Sequence, residues 1–309
     1  MTPPSAAPDW LWIPVTVWAA FAQTLRNAAQ RGLTASLGTL GATLVRFLYG
    51  LPFALAWLWI VSRWTGAALP APGAAFAAWT ALGALSQIAA TALLLRAMQE
   101  RNFALGVAYS KTEVIQVALF GFVALGDRLS PAALAAIGCA SAGVLLLSPA
   151  DARRPLRALL AGWTGRPALL GLASGAGFAL AAIGFRGAAL ALGGAPYLMA
   201  AALTLVAGLA LQTAVLVGWL RIRQPEVVLG ALREWRPSLF AGFMGAAASA
   251  GWFTAFAIHT AASVRTLGLV ELFFASLVSL KLFRERLRPG ELAGMALIAL
   301  GIAGITLGR

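Results

Sequence analysis

Polar residues along this chain come in short clusters, and long apolar blocks run between them. Each block is close to the roughly 20 residues that a helix needs to cross a hydrocarbon core about 30 Å thick. The pattern predicts ten helices, at 10–29, 37–62, 75–98, 104–126, 131–148, 168–191, 196–219, 238–260, 263–284 and 289–308. Turn and breaker sequences such as "RGLTASLG", "PAPG", "GDRLSP", "LGGAP" and "RERLRPG" separate them. The longest polar interval, "PADARRPLRALLAGWTGRP", follows the fifth block and divides the chain into residues 1–150, a loop at 151–167, and residues 168–309.

The two parts read as copies. "TEVIQVALFGFVALGDRLSPAALA" aligns without a gap on "VELFFASLVSLKLFRERLRPGELA", which sets Glu113 on Glu271, Arg128 on Arg286, Leu129 on Leu287, Pro131 on Pro289 and Leu134 on Leu292. With five helices per copy, the second copy must enter the membrane from the opposite side. The expected fold is therefore all-α: a polytopic membrane protein of ten transmembrane helices arranged as two inverted five-helix repeats. Secondary transporters reuse that plan, with the binding site near the midplane where the repeats meet.

Composition agrees with lipid as the solvent. The 309 residues are 61% hydrophobic and 11% charged, where a soluble domain carries about a quarter charged residues. The formal net charge of +13 does not mark a nucleic-acid binder, because the basic residues fall in short loops between apolar blocks. The lone Cys139 excludes an internal disulfide and says nothing of redox compartment. "MTPPSAAPDW" lacks a basic stretch ahead of the first apolar block, so no cleaved signal peptide is expected. There is no His-Glu-x-x-His, Gly-x-Ser-x-Gly or paired-Asp motif, so neither an enzyme nor a metal or cofactor site is expected.

A few charges interrupt the blocks themselves. Glu113 and Glu271 lie about nine and eight residues into the fourth and ninth spans, roughly 12–14 Å deep from opposite faces. A charge at that depth costs at least about 2.5–3.5 kcal/mol and should face a cavity or a partner. Lys111 precedes Glu113 by two residues, which on one helix turns the side chains to different faces. Tyr109 and Gln116 share the face of Glu113. Arg46, at similar depth in the second span, is the expected partner of Glu113. Its equivalent in the second copy is Thr204, which leaves Glu271 without one. Burial favours the neutral form of an unpaired carboxyl and a neighbouring arginine favours the ionised form, so a coupling proton is one candidate cargo.

Other positions read as ordinary membrane-protein features. His259 and Arg265 fall at span ends and are expected at the interface. Trp10, Trp12, Trp18, Trp57, Trp59, Trp64 and Trp219 are expected in an aromatic belt. Trp252 could line a cavity. "GLASGAG" and "GMALIALGIAG" place small residues at spacings suited to close helix approach, within one chain or in a homodimer.

The layout resembles the drug/metabolite transporter superfamily, EamA type, over nearly the whole chain. The resemblance rests on Glu113-Val114 with Gly126-Asp127, and on Glu271-Leu272 with Arg284-Glu285. The proline that follows the family's glutamate is absent in both copies, so the fourth and ninth spans are expected to be straighter than the family norm. The resemblance implies a multi-pass secondary transporter of the bacterial inner (plasma) membrane. The expected activity is proton-coupled export of a small metabolite or amphiphilic compound, through Glu113 or Glu271. The alternative is an exchanger or uncoupled carrier whose Arg46 and Lys111 bind an anionic metabolite; an intramembrane enzyme or scaffold is the outside reading. The expected partners are the substrate, lipid and possible coupling protons, with no nucleic acid and with monomer or homodimer left open. Loop arginines place both termini outside by the positive-inside bias, whereas the resemblance implies both inside.

Overall fold

The computed structural model describes residues 7–100, 110–146, 165–282 and 289–307, and every regular element among them is helical. In chain order these are α1 (Trp12–Leu48), α2 (Leu51–Thr65), α3 (Ala74–Glu100), α4 (Glu113–Leu125), α5 (Pro131–Leu146), α6 (Arg166–Ala191), α7 (Tyr197–Arg223), α8 (Pro225–Arg233), α9 (Trp235–Ile258), α10 (Ala261–Leu267), a 3-10 turn (Gly268–Val270), α11 (Glu271–Leu282) and α12 (Pro289–Leu307). Among the described residues, six helical stretches are long and apolar enough to cross a membrane, and three shorter ones are apolar. The surface is apolar, with Ile222, Val123, Trp64 and Trp59 all well exposed, while Arg26, Arg46, Glu113 and Glu271 are buried. That inversion of the water-soluble pattern is what lipid selects.

α1 is not one rod. Its 37 residues would rise about 55 Å if straight. At Gly38 the backbone turns through φ 66°, ψ 180°, outside helical space. The Gln30 side chain donates to the Ala42 carbonyl at 2.8 Å, although twelve residues of straight helix would separate them by about 18 Å. The chain therefore doubles back, and the limb after Gly38 runs on through a break at Tyr49–Gly50 into α2.

Small residues set the helix crossings. α3 meets α6 where a Cβ on Gly184 would lie 2.6 Å from the Gly83 nitrogen. α1 meets α9 where one on Gly251 would lie 2.8 Å from Ala19 Cβ. At the α5–α12 crossing, a Cβ on Gly143 would sit 2.5 Å from the Gly294 carbonyl, and one on Gly301 2.7 Å from the Ala136 carbonyl. One offset of 158 residues carries Gly143 to Gly301 and Ala136 to Gly294. The same 158 residues separate Cys139 from Leu297, whose carbonyl accepts the Cys139 thiol at 3.5 Å. The glycines of "GLASGAG" and "GMALIALGIAG" thus serve packing within the chain.

Two sequence expectations fail here. The fourth and ninth spans are broken rather than straight. A turn at Lys111–Thr112 precedes α4, and the 3-10 turn at Gly268–Val270 precedes α11, so both breaks end at a glutamate. No proline is needed, because glycine admits a neighbour to the backbone at each break. Trp252 packs on Gly268, where a Cβ would lie 2.5 Å from its ring. Gly175 of α6 lies against the other break, where its Cβ would be 2.8 Å from the Ser110 carbonyl. The second failure is Trp12, which is buried and stacked on His259 at 4.4 Å instead of joining a surface belt.

Candidate functional site

The two breaks bring their glutamates into one buried polar network. Glu113 and Glu271 are each the first residue of a helix, where the unpaired amide dipoles favour a negative charge. Glu271 Oε1 accepts from Asn27 Nδ2 at 2.9 Å, and its Oε2 accepts from Gln23 Nε2 at 2.6 Å. Lys111 Nζ pairs closely with Glu271 Oε2 and lies 3.7 Å from Glu113 Oε1. Arg265 NH1 reaches Glu113 Oε1 at 3.4 Å. One lysine therefore bridges acids from the two parts of the chain.

The network extends along α1. Arg26 donates twice to Asn27 Oδ1, from NH2 at 2.5 Å and Nε at 3.2 Å. Trp252 Nε1 donates to Gln23 Oε1 at 2.9 Å, and its ring lies under the Arg265 guanidinium at 4.6 Å. Arg46 donates to Thr91 Oγ1 at 2.9 Å and lies beside Phe47. Arg26, Asn27, Arg46, Lys111, Glu113, Arg265 and Glu271 are all at most 5% exposed. Arg26 lies about 21 Å along α1 from Trp12 and about 18 Å from the turn at Gly38, so the network sits near mid-helix.

The site departs from the sequence reading in its pairings. Arg46 does not pair with Glu113; its partner is Thr91, and Arg265 takes the carboxylate instead. Lys111 does reach Glu113, because the turn at 111–112 removes the helical geometry that would have separated them. Glu271 has the partner that the sequence denied it. Arg265 is buried in the network rather than anchored at an interface. Trp252 faces the network, whereas Gln116 is half-buried and joins none of these bonds. Tyr109 lies outside the described residues.

Gln23, Arg26, Asn27 and Gln30 were missed, although the sequence carries their signal. Their spacing of three and four residues puts them on one face of an otherwise apolar helix.

Two further features flank the network. At the end where α4 and α9 stop, Arg186 of α6 holds Asp127 through Nε at 3.2 Å and NH2 at 3.0 Å. Its NH1 donates to the carbonyls of Phe256 at 2.7 Å and His259 at 2.6 Å, so one arginine ties three elements together. An apolar cavity of about 720 Å³ lies between α1, α2, α7 and α9, with Trp18, Trp57, Trp64 and Phe243 in its wall.

No protein-family model matches the chain, and no curated protein matches it. A solved crystal structure shares the fold, with a TM-score of 0.66 over 96% of this chain and 96% of that one, at 18% identity. At that identity the likeness concerns the fold alone.

Proposed function

We propose that this protein is a secondary transporter of small metabolites, built as two inverted five-helix repeats in a bacterial plasma membrane. The observation that carries this reading is the pair of helix breaks ending at Glu113 and Glu271, whose carboxylates share Lys111 in a buried network. Discontinuous helices whose half-helix termini face a mid-membrane site are a recurrent device of such carriers. The repeat is supported by the 158-residue offset that relates Gly143–Gly294 to Gly301–Ala136. It is supported again by the matching positions of the two breaks.

Both glutamates are opposed by cations. That balance favours carriage in which substrate exchanges for one of the ion-pair partners, over a cycle in which either glutamate alone trades a proton. Ionic groups buried in a bundle mark substrate and ion pathways. The Arg186–Asp127 pair is the contact that would part when that end of the bundle opens.

Counterflow in proteoliposomes tests the reading. A panel of radiolabelled metabolites is offered to purified wild type and to Glu113→Gln and Glu271→Gln. Saturable uptake by wild type, reduced at least about tenfold in either variant, is expected. Absence of saturable uptake across the panel, or full activity in both variants, would contradict it.

A further inference from the structure

The charge inventory of the network, resting on the carrier reading, points to the chemistry of the cargo. Arg26, Arg46, Lys111 and Arg265 bring four positive charges to buried positions, and Glu113 and Glu271 bring two negative ones. Among the described residues no other acid is buried. Lys111 and Arg265 are engaged with the two carboxylates. Among the described residues, Arg26 and Arg46 have only neutral acceptors, the Asn27 amide and the Thr91 hydroxyl. Donor atoms remain over: Arg26 NH1, Arg46 Nε and Arg265 Nε are buried without a hydrogen-bond acceptor among the described residues.

These two arginines stand side by side. The turn at Gly38 folds the limbs of α1 together, and Gly245 of α9 leaves room beneath both side chains. A Cβ there would lie 3.2 Å from Arg46 Cγ and 3.4 Å from Arg26 Cδ. A guanidinium does not give up its proton in a protein. A buried excess of positive charge with orphaned donors is therefore costly until an anion joins it.

We infer that Arg26 and Arg46, backed by Arg265, form the binding site for an oxyanion, the carboxylate or phosphate group of a small metabolite. The planar donor fork of arginine fits both groups, which can accept two parallel hydrogen bonds. Cationic cargo is repelled by the same excess, and neutral cargo leaves it uncompensated. The site differs from the one in the alternative reading of the sequence, in which Arg46 and Lys111 bind the anion, because Lys111 is already held between the two glutamates.

Isothermal titration of the purified full-length protein at low ionic strength tests this, with inorganic phosphate, succinate and neutral succinamide as probes. Phosphate or succinate should bind and succinamide should not. Arg26→Gln and Arg46→Gln should each weaken binding at least about tenfold. Arg46→Lys keeps the charge without the fork; it should also bind more weakly than wild type, and it serves if the glutamine variants do not fold. Exposed Arg63→Gln should match wild type. Failure of both oxyanions to bind wild type, or wild-type affinity in Arg46→Lys and in the glutamine variants, overturns the site. Flux of the bound anion in proteoliposomes is read separately. Binding without flux keeps the oxyanion site and ends the carrier reading, whereas saturable flux of a cationic solute without oxyanion binding does the reverse.

Discussion

Lys111, in the turn that opens α4, and Glu271, the first residue of α11, form an ion pair with both side chains buried. Each lies where its helix has been interrupted. The interruption frees backbone amides to face the carboxylate, and it swings Lys111 round to serve both acids. Removing one member of a buried pair costs about 3–5 kcal/mol, because the other charge is left uncompensated. Lys111→Met should therefore destabilise the protein strongly, and Lys111→Met with Glu271→Gln less than the sum of the two single changes. Thermal unfolding of the four proteins in detergent gives the coupling, expected at about 1–3 kcal/mol. Additive effects would mean that the pair does not exist in the membrane protein.

The α5–α12 crossing offers a control built into one helix. A side chain at Gly143 meets the backbone of α12, which cannot yield, whereas a Cβ at Gly138 meets nothing within 4 Å. Gly143→Leu should cost about 1–3 kcal/mol or more through overpacking. Gly138→Leu, facing outward, should stay within about 0.5 kcal/mol. Unfolding midpoints compare the two.

Gly268 and Trp252 should show epistasis. Gly268→Ala drives a methyl group into the far edge of the Trp252 ring, an expected loss of about 1–3 kcal/mol. Trp252→Phe removes that edge and the hydrogen bond to Gln23, at about 1 kcal/mol. The double variant should be more stable than Gly268→Ala alone, as read by thermal shift.

Arg186 makes four hydrogen bonds at one end of the bundle. Bonds to a charged group contribute about 1.5–3 kcal/mol each. Arg186→Gln should accelerate amide exchange around residues 255–262 at least about tenfold. Exchange at the α5–α12 crossing should not change. Uniform acceleration would assign Arg186 to global stability rather than to that end.

Much of the helical plan was legible because lipid imposes a length on each apolar block. The repeat proposed for the chain rests in the sequence on Glu113 and Glu271, which head matching turn sequences. The pairings were not legible, for two physical reasons. The breaks at 111–112 and 268–270 arise from the approach of Gly175 and Trp252, tertiary contacts that no local propensity encodes. The apolar pattern ends the first span at residue 29, which places Arg26 at its margin. The fold places Arg26 at mid-helix, on the polar face that Gln23, Asn27 and Gln30 share. Arg265 likewise falls at the start of an apolar block in the sequence, whereas α10 carries it into the bundle before the break.

The carrier proposal requires that water and cargo reach the buried network from each side of the membrane in turn. Cys139 is the single cysteine, so Thr91→Cys in a Cys139→Ser background places one thiol beside Arg46. An anionic, membrane-impermeant thiosulfonate is applied to right-side-out and to inverted vesicles. The account predicts labelling from both sides, slowed by the oxyanion that the protein binds. A thiol that stays unreactive from both sides while the protein remains folded would contradict it and make the network a static one.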